Sequence, residues 1–325
     1  MASLGEWKVS PAMQPKPADY NYDLEAALGA VVGLRVTVPD DAFTAETLGT
    51  ERAGHGVLIR ENGLVLTIGY LVTEADAVWL NLGDGRVVQG HALAHDQESG
   101  FGLVQALARL DLPPLPLGQS DAAQIGEPVV IGGVGGPQRS VAAQIVAKQE
   151  FAGYWEYVLD DAIYVAPAHP NWGGTALIGP SGKLLGIGSL QLEQERAKGA
   201  NERLNMIVPI DLLKPILDDL LSRGRRRTPP RPWLGLYATE FENRIVIVGL
   251  ANRGPAQQAD LRTGDIVLSV QGNEVTSLAD FFRGLWSLGE AGVAVPLTIY
   301  RDGRMFDLHV TSADRAQFLR KPSLH

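Results

Sequence analysis

The sequence predicts a mainly β protein made of two folded units joined by a basic, proline-rich linker. Three observations predict it. Short apolar strands recur on either side of glycine-bearing turns, at Asn62-Gly63, Asp84-Gly85, Ser181-Gly182 and Asp302-Gly303. Asn-Gly and Asp-Gly supply the positive φ angles that tight hairpin turns need. The clearest helical periodicity lies over residues 209–221. The run Arg223-Gly224-Arg225-Arg226-Arg227-Thr228-Pro229-Pro230-Arg231-Pro232 has the composition of an exposed linker. Short strands at this spacing favour a barrel or sandwich over a parallel α/β sheet.

In chain order, residues 1–22 read as an irregular arm. Residues 26–38 are expected to open as a short helix and close as a strand over Val31–Val36. Val57–Arg60 and Leu64–Thr67 form a hairpin around Asn62-Gly63. Val78–Leu82 and Arg86–Val88 form a second around Asp84-Gly85. Thr175–Ile178 and Leu184–Ile187 flank Pro180-Ser181-Gly182. Pro209–Leu221 is a helix with apolar residues at helical spacing, which Pro215 should kink unless it sits near the first turn. The boundaries expected are a folded unit over 23–222, a linker over 223–232, and a second unit with its tail over 233–325. Its last hairpin runs from Leu297–Tyr300 to Phe306–Val310.

The chain has 325 residues, 45% of them apolar and 20% charged, with a net charge of −9 and no cysteine. That excludes disulfides and thiolate metal sites. The acidic balance argues against a nucleic-acid partner, and the arginine run is read as solvated. No stretch approaches the length of a membrane span. The N-terminus lacks a basic region followed by an apolar core. The expected location is cytoplasmic, or periplasmic if an export signal has been removed. No cofactor or metal is expected: the histidines show no ligand spacing, and Gly132–Gly136 has no P-loop lysine after it.

Six segments in order resemble the trypsin-like protease domain of the HtrA/DegP family. They are Gly54–Ile59, Leu66–Val72, Asp84-Gly85-Arg86, Asp96–Val104, Asn171–Leu177 and Asn205–Pro209. The second unit resembles a PDZ domain of the same family, through Pro232–Leu236, Gly254–Leu268, Gly272–Val275 and Arg301-Asp302-Gly303. Asp260 stands where that family usually has glycine. The resemblance implies a trypsin-like double six-stranded β-barrel followed by a PDZ domain.

In that frame Tyr70, Gly100 and Trp172 occupy the places of the histidine, aspartate and serine. Peptide hydrolysis needs a hydroxyl nucleophile, an imidazole base and a carboxylate that orients it. An indole only donates, a phenol is a poor base at neutral pH, and glycine has no side chain. The expectation is therefore a degenerate triad and no enzyme, with Trp172 filling or capping the old cleft. Other groups nearby are His95, Asp96, Ser99, His169, Thr175 and Ser189. They read as surface, turn or cleft-wall residues, with His169 exposed. Gly173-Gly174 is read as required by the turn.

The PDZ resemblance implies that Trp233, Leu234, Gly235 and Leu236 form a carboxylate-binding loop and pairing strand. Phe281, Phe282 and Leu285, on the helix opposite, are candidates for the pocket, and at least one phenylalanine is expected in the core. The partners implied are C-terminal or extended peptides of other proteins, added as a strand. A homo-oligomer, a trimer by family resemblance, is expected through the aromatics of the N-terminal region, Trp7, Tyr20, Tyr22 and Phe43. Three readings follow. The first is an inactive HtrA-like pseudoprotease with a peptide-binding, scaffolding or regulatory role. The second is an active HtrA-type serine endopeptidase with a misaligned or relocated catalytic site. The third is a structural oligomer whose PDZ groove is closed.

Overall fold

A computed structural model describes residues 8–196 and 200–320, without side-chain detail at 195–201. Residues 1–7, with Trp7, and the tail 321–325 lie outside the described residues. The chain divides into two compact units. One holds the residues up to Gln149 together with Asp161–Arg226. The other holds Glu150–Asp160 together with Arg227–Arg320.

The first unit contains two closed six-stranded barrels. The first barrel uses β1 (Val31–Thr37), β2 (Glu51–Arg60), β3 (Leu64–Ile68), β4 (Ala77–Asn81), β5 (Val87–His95) and β6 (Phe101–Ala106), in the order β1-β2-β3-β6-β5-β4. Helix α1 (Leu24–Gly29) precedes it, capped by the Asp23 carboxylate, which accepts from Ala26 N–H at 2.9 Å. Helix α2 (Ala45–Leu48) follows β1, and the single turn α3 (Gly69–Val72) follows β3. Strand β3 is buried along its whole length because it runs between β2 and β6 with both faces covered.

The second barrel uses β7 (Pro128–Gly132), β8 (Val141–Gly153), β9 (Tyr157–Ala166), β10 (Ala176–Ile178), β11 (Leu184–Arg196) and β12 (Ala200–Pro209), in the order β10-β11-β12-β9-β8-β7. Its interior is aliphatic, with Val129, Ile131, Val141, Ile145, Ile163, Val165, Leu177 and Ile207 among the buried residues. The segment read as one helix is two pieces. A 3-10 turn spans Ile210–Leu212, and α4 spans Leu217–Arg223. Pro215 lies between them, where its missing N–H and its ring interrupt a continuous helix. Gly224, at φ 71°, ends α4 in a left-handed cap.

The arginine run is not solvated throughout. Arg226 donates from Nε and Nη2 to the two oxygens of Asp96 at 2.6 and 2.7 Å, and that carboxylate is only 6% exposed. The fork geometry of a guanidinium allows this bidentate pair. Sequence composition cannot show it, because the acceptor lies 130 residues away.

The second unit is a six-stranded sheet of β13 (Leu236–Phe241), β14 (Arg244–Leu250), β15 (Ile266–Val270), β16 (Asn273–Glu274), β17 (Ala294–Arg301) and β18 (Arg304–Thr311). Its order is β13-β14-β15-β17-β18, with β16 paired to β15. Helix α5 is Pro255–Gln258. Helix α6 is Leu278–Trp286, capped by Ser277, whose hydroxyl accepts from Asp280 N–H. Asp265 is buried and held by a bidentate pair with Arg301. Asp260, the departure from glycine, adopts φ 62°, the left-handed region that the family's glycine would suit and that aspartate tolerates.

Candidate functional site

Tyr70, Gly100 and Trp172 are brought together in the first unit. Tyr70 sits in α3, and Gly69 before it donates its N–H to the Gly100 carbonyl at 2.6 Å. The Tyr70 hydroxyl donates to the Ser189 carbonyl at 2.9 Å and receives a hydrogen bond from the Trp172 side chain. Burial raises the phenol above its ordinary range, and the Trp172 bond opposes this. Trp172 is part-buried. Arg52, itself buried, fixes the α3 turn by donating to the carbonyls of Gly49, Tyr70 and Thr73.

The turn beneath Trp172 is closely packed. Thr175 donates from N and Oγ1 to the Trp172 carbonyl, at 3.2 and 2.8 Å. Gly173 accepts from His55 N–H, and Gly174, at φ 79°, donates to Gly188. A β-carbon on Gly174 would lie 1.9 Å from the His55 carbonyl oxygen, so the turn admits only glycine there.

His169 is fully buried rather than exposed. Its backbone N–H donates to Asn205 Oδ1 at 2.6 Å, and its Nδ1 accepts from Asn171 N–H at 3.1 Å. The ring proton is thereby assigned to Nε2, which donates to the Arg139 carbonyl at 2.8 Å. His55 is its neighbour, ring to ring at 5.7 Å and nearly perpendicular. His55 Nδ1 accepts from Val134 N–H, so its proton also lies on Nε2. Burial, reinforced by His169, pushes the His55 imidazole down to about 3, and burial lowers His169 as well. Both rings are neutral in the physiological range, and they brace the turn that carries Trp172.

The other groups weighed from the sequence are placed as follows. The Thr175 hydroxyl is committed to the Trp172 carbonyl. The Ser99 hydroxyl donates to Asp96 Oδ2 at 2.6 Å, inside the pair with Arg226. His95 closes β5 opposite Gly102. Ser189 is buried at a register shift of β11 and offers its carbonyl to Tyr70.

In the second unit, Trp233 pairs with Ala313 through both backbone bonds, and its ring packs tilted against Phe318, centroids 4.9 Å apart. The N–H groups of Leu234, Gly235 and Leu236 converge on one carboxylate, that of Glu156. Gly235 donates to Oε1 at 2.7 Å and Leu236 at 3.1 Å, while Leu234 reaches both oxygens at 3.1 and 3.2 Å. Phe281, Phe282 and Leu285 are fully buried in the unit's core, in the cluster that also holds Val158.

Burial pushes the Glu156 carboxyl up to about 7, against the three N–H donors and Arg315. An acid whose pKa is raised in the docked state favours docking most at low pH, and that advantage is lost as the pH rises through the docked value. Opening of this contact is therefore expected to become ~50- to 100-fold more favourable between pH 5 and 8. Hydrogen exchange at Leu234–Leu236, corrected for intrinsic rates, measures it, and an opening constant flat over that range would refute it.

Glu156 had no signal in the sequence reading. The available hint was a lone acid among aromatics, Tyr154-Trp155-Glu156-Tyr157.

Residues 54–187 match the family model of a trypsin-like peptidase domain, and residues 232–311 that of a PDZ domain. Serine endoprotease DegS of Salmonella typhimurium is 23% identical, across 94% of this chain and 90% of its own length. Serine endoprotease DegS of Escherichia coli K12 is 24% identical, across 91% and 86%. The chain belongs to the HtrA/DegP family. A probable periplasmic serine endoprotease, DegP-like, of Chlamydia muridarum is 24% identical over 79% of this chain and 53% of its own length. HtrA-type protease AlgW with a decapeptide superposes with a TM-score of 0.53 at 21% identity, covering 92% of this chain and 99% of that one. That likeness concerns the fold.

Membership in this HtrA/DegP family corrects one expectation. The chain was expected to be no enzyme, on the side chains at 70, 100 and 172. Relatives spanning nine-tenths of it are named serine endoproteases, which points to an enzyme. The side chains at those three positions do not exclude proton transfer by other groups. The cytoplasmic location also finds no support, because relatives are named periplasmic. Among the described residues no helix is long and apolar enough to cross a membrane.

Proposed function

We propose that this chain is an HtrA-type serine endopeptidase with relocated catalytic groups, which also receives polypeptide C-termini at its PDZ groove. The observation that carries the reading is the match to serine endoproteases over nearly the full length of both partners. In it, Tyr70, Gly100 and Trp172 mark the inherited catalytic positions and proton transfer falls to other residues. The domains run over 23–222 and 233–325, with 223–232 between them. Trp233, Leu234, Gly235 and Leu236 hold the ligand's carboxylate and strand, and Phe281, Phe282 and Leu285 shape its pocket. Structures of HtrA-type protease AlgW with a decapeptide and with a tripeptide support a peptide as the ligand class. A periplasmic location and a homotrimer complete the reading, supported by the relatives' names and by family resemblance respectively.

Labelling with a fluorophosphonate, followed by mass spectrometry of the labelled peptide, tests the chemistry. Digestion of casein by the purified chain tests it independently. A single labelled hydroxyl and cleavage well above the buffer rate are expected. Neither label nor cleavage, from protein whose two units are folded by circular dichroism, would overturn the reading.

A further inference from the structure

The tip of the β8–β9 hairpin lies in the second unit, against the groove between β13 and α6. Four separate contacts place it there. The Glu156 carboxylate receives the three N–H groups of Leu234–Leu236. The Tyr154 carbonyl accepts from Ala238 N–H at 2.9 Å, which continues the pairing along β13. Val158 enters the core cluster with Phe281, Phe282 and Leu285. Arg283, on α6, holds both arms of the hairpin through Glu150 and Asp160.

These contacts reproduce the chemistry of a bound peptide end. A strand-adding ligand needs a carboxylate in the loop, a carbonyl bonded to the edge strand and an apolar side chain in the pocket. The hairpin supplies all three from one continuous segment. It does so with an internal side-chain carboxylate in place of a chain terminus. Glu156 adopts φ 58° at the turn, a conformation that costs a non-glycine residue free energy and persists where the surroundings enforce it.

We infer that the 150–160 hairpin is the groove's own ligand, and that a polypeptide with a free C-terminal carboxylate and an apolar last residue binds by displacing it. The inference rests on the proposed peptide-binding role of the groove. It adds that the described state is closed and that the hairpin sets the affinity for outside ligands. A ligand must compete with a tethered segment, so its apparent affinity falls by the fraction of molecules that are open. Strands β8 and β9 continue by covalent connection into the second barrel, where β8 pairs with β7 and β9 with β12. Displacement of the tip releases the distal ends of both strands.

The test is a fluorescence titration of the full chain with a pool of decapeptides. All end in a free carboxylate, and together they carry every apolar last residue. The matched C-terminal amides serve as the control. The expected result is weak binding to the natural chain and at least tenfold tighter binding to both Glu156→Ala, which removes the acceptor, and Arg283→Ala, with no binding of the amides. Two variants on different elements guard against one failing to fold. In the natural chain, saturating acid pool should also raise hydrogen exchange over 150–160. Equal affinity for all three proteins would overturn this inference and leave the groove's peptide role standing. No binding to any of them would overturn both.

Discussion

Gly174→Ala is expected to destabilise the first unit by at least ~3 kcal/mol, the range of combined overpacking and left-handed strain. The added β-carbon would sit 1.9 Å from a backbone carbonyl oxygen, that of His55, and 2.7 Å from Thr67 Oγ1. Neither can give way cheaply. Thr67 Oγ1 already bonds that same carbonyl at 2.6 Å, and His55 N–H is tied to Gly173. Gly85→Ala separates the two contributions. Gly85 has φ 90° and open space around its α-carbon, so its variant carries conformational strain without a clash and should lose ~1 kcal/mol. Urea denaturation followed by hydrogen exchange of the β2 and β10 segments measures both. Equal losses would mean that the turn beneath Trp172 is not the closely packed support described above.

Arg226→Ala is expected to cost ~3–5 kcal/mol at neutral pH, the penalty for leaving a buried charge without its partner. Burial works against the charged form of Asp96. The Arg226 guanidinium and the two Ser99 donors outweigh it and hold the carboxyl below its ordinary range. The sign of the pH dependence follows. A depressed folded value contributes stability above the unfolded pKa, and that contribution is lost as the pH falls through the folded value. The difference between the natural chain and Arg226→Ala should therefore shrink in acid. Arg226→Lys, which keeps the charge but not the paired donors, should fall between them. A loss under 1 kcal/mol at pH 7, or one that does not change on acidification, would show that Arg226 is an ordinary surface cation.

Four hairpins were legible residue by residue. Asn62-Gly63, Asp84-Gly85, Ser181-Gly182 and Asp302-Gly303 each separate two strands of the fold. Their signals are local, because a glycine at positive φ is needed wherever the turn sits in the molecule. The hairpin at Tyr154-Trp155-Glu156 was not legible. Its turn has no glycine or proline, and its left-handed residue is a glutamate. What stabilises it is a set of N–H donors some 80 residues further along the chain. His169 was misjudged for a similar reason: an Ala-His-Pro-Asn run reads as a surface turn, whereas two acceptors far along the chain, the Arg139 carbonyl and Asn205 Oδ1, hold it inside together with the nearby Asn171 N–H donor.

By itself the sequence determined the β class, the order of its turns, the two units and the side chains present at 70, 100 and 172. All of these depend on local backbone preference or residue identity, which the order of residues states directly. Only the tertiary structure decided that Arg226 neutralises Asp96, that two neutral imidazoles brace the Trp172 turn, and that Glu156 accepts the N–H groups of Leu234, Gly235 and Leu236. Each of those joins groups far apart in the chain, and a buried polar group takes whichever partner the fold brings within reach, since leaving it without one costs more than any local preference provides.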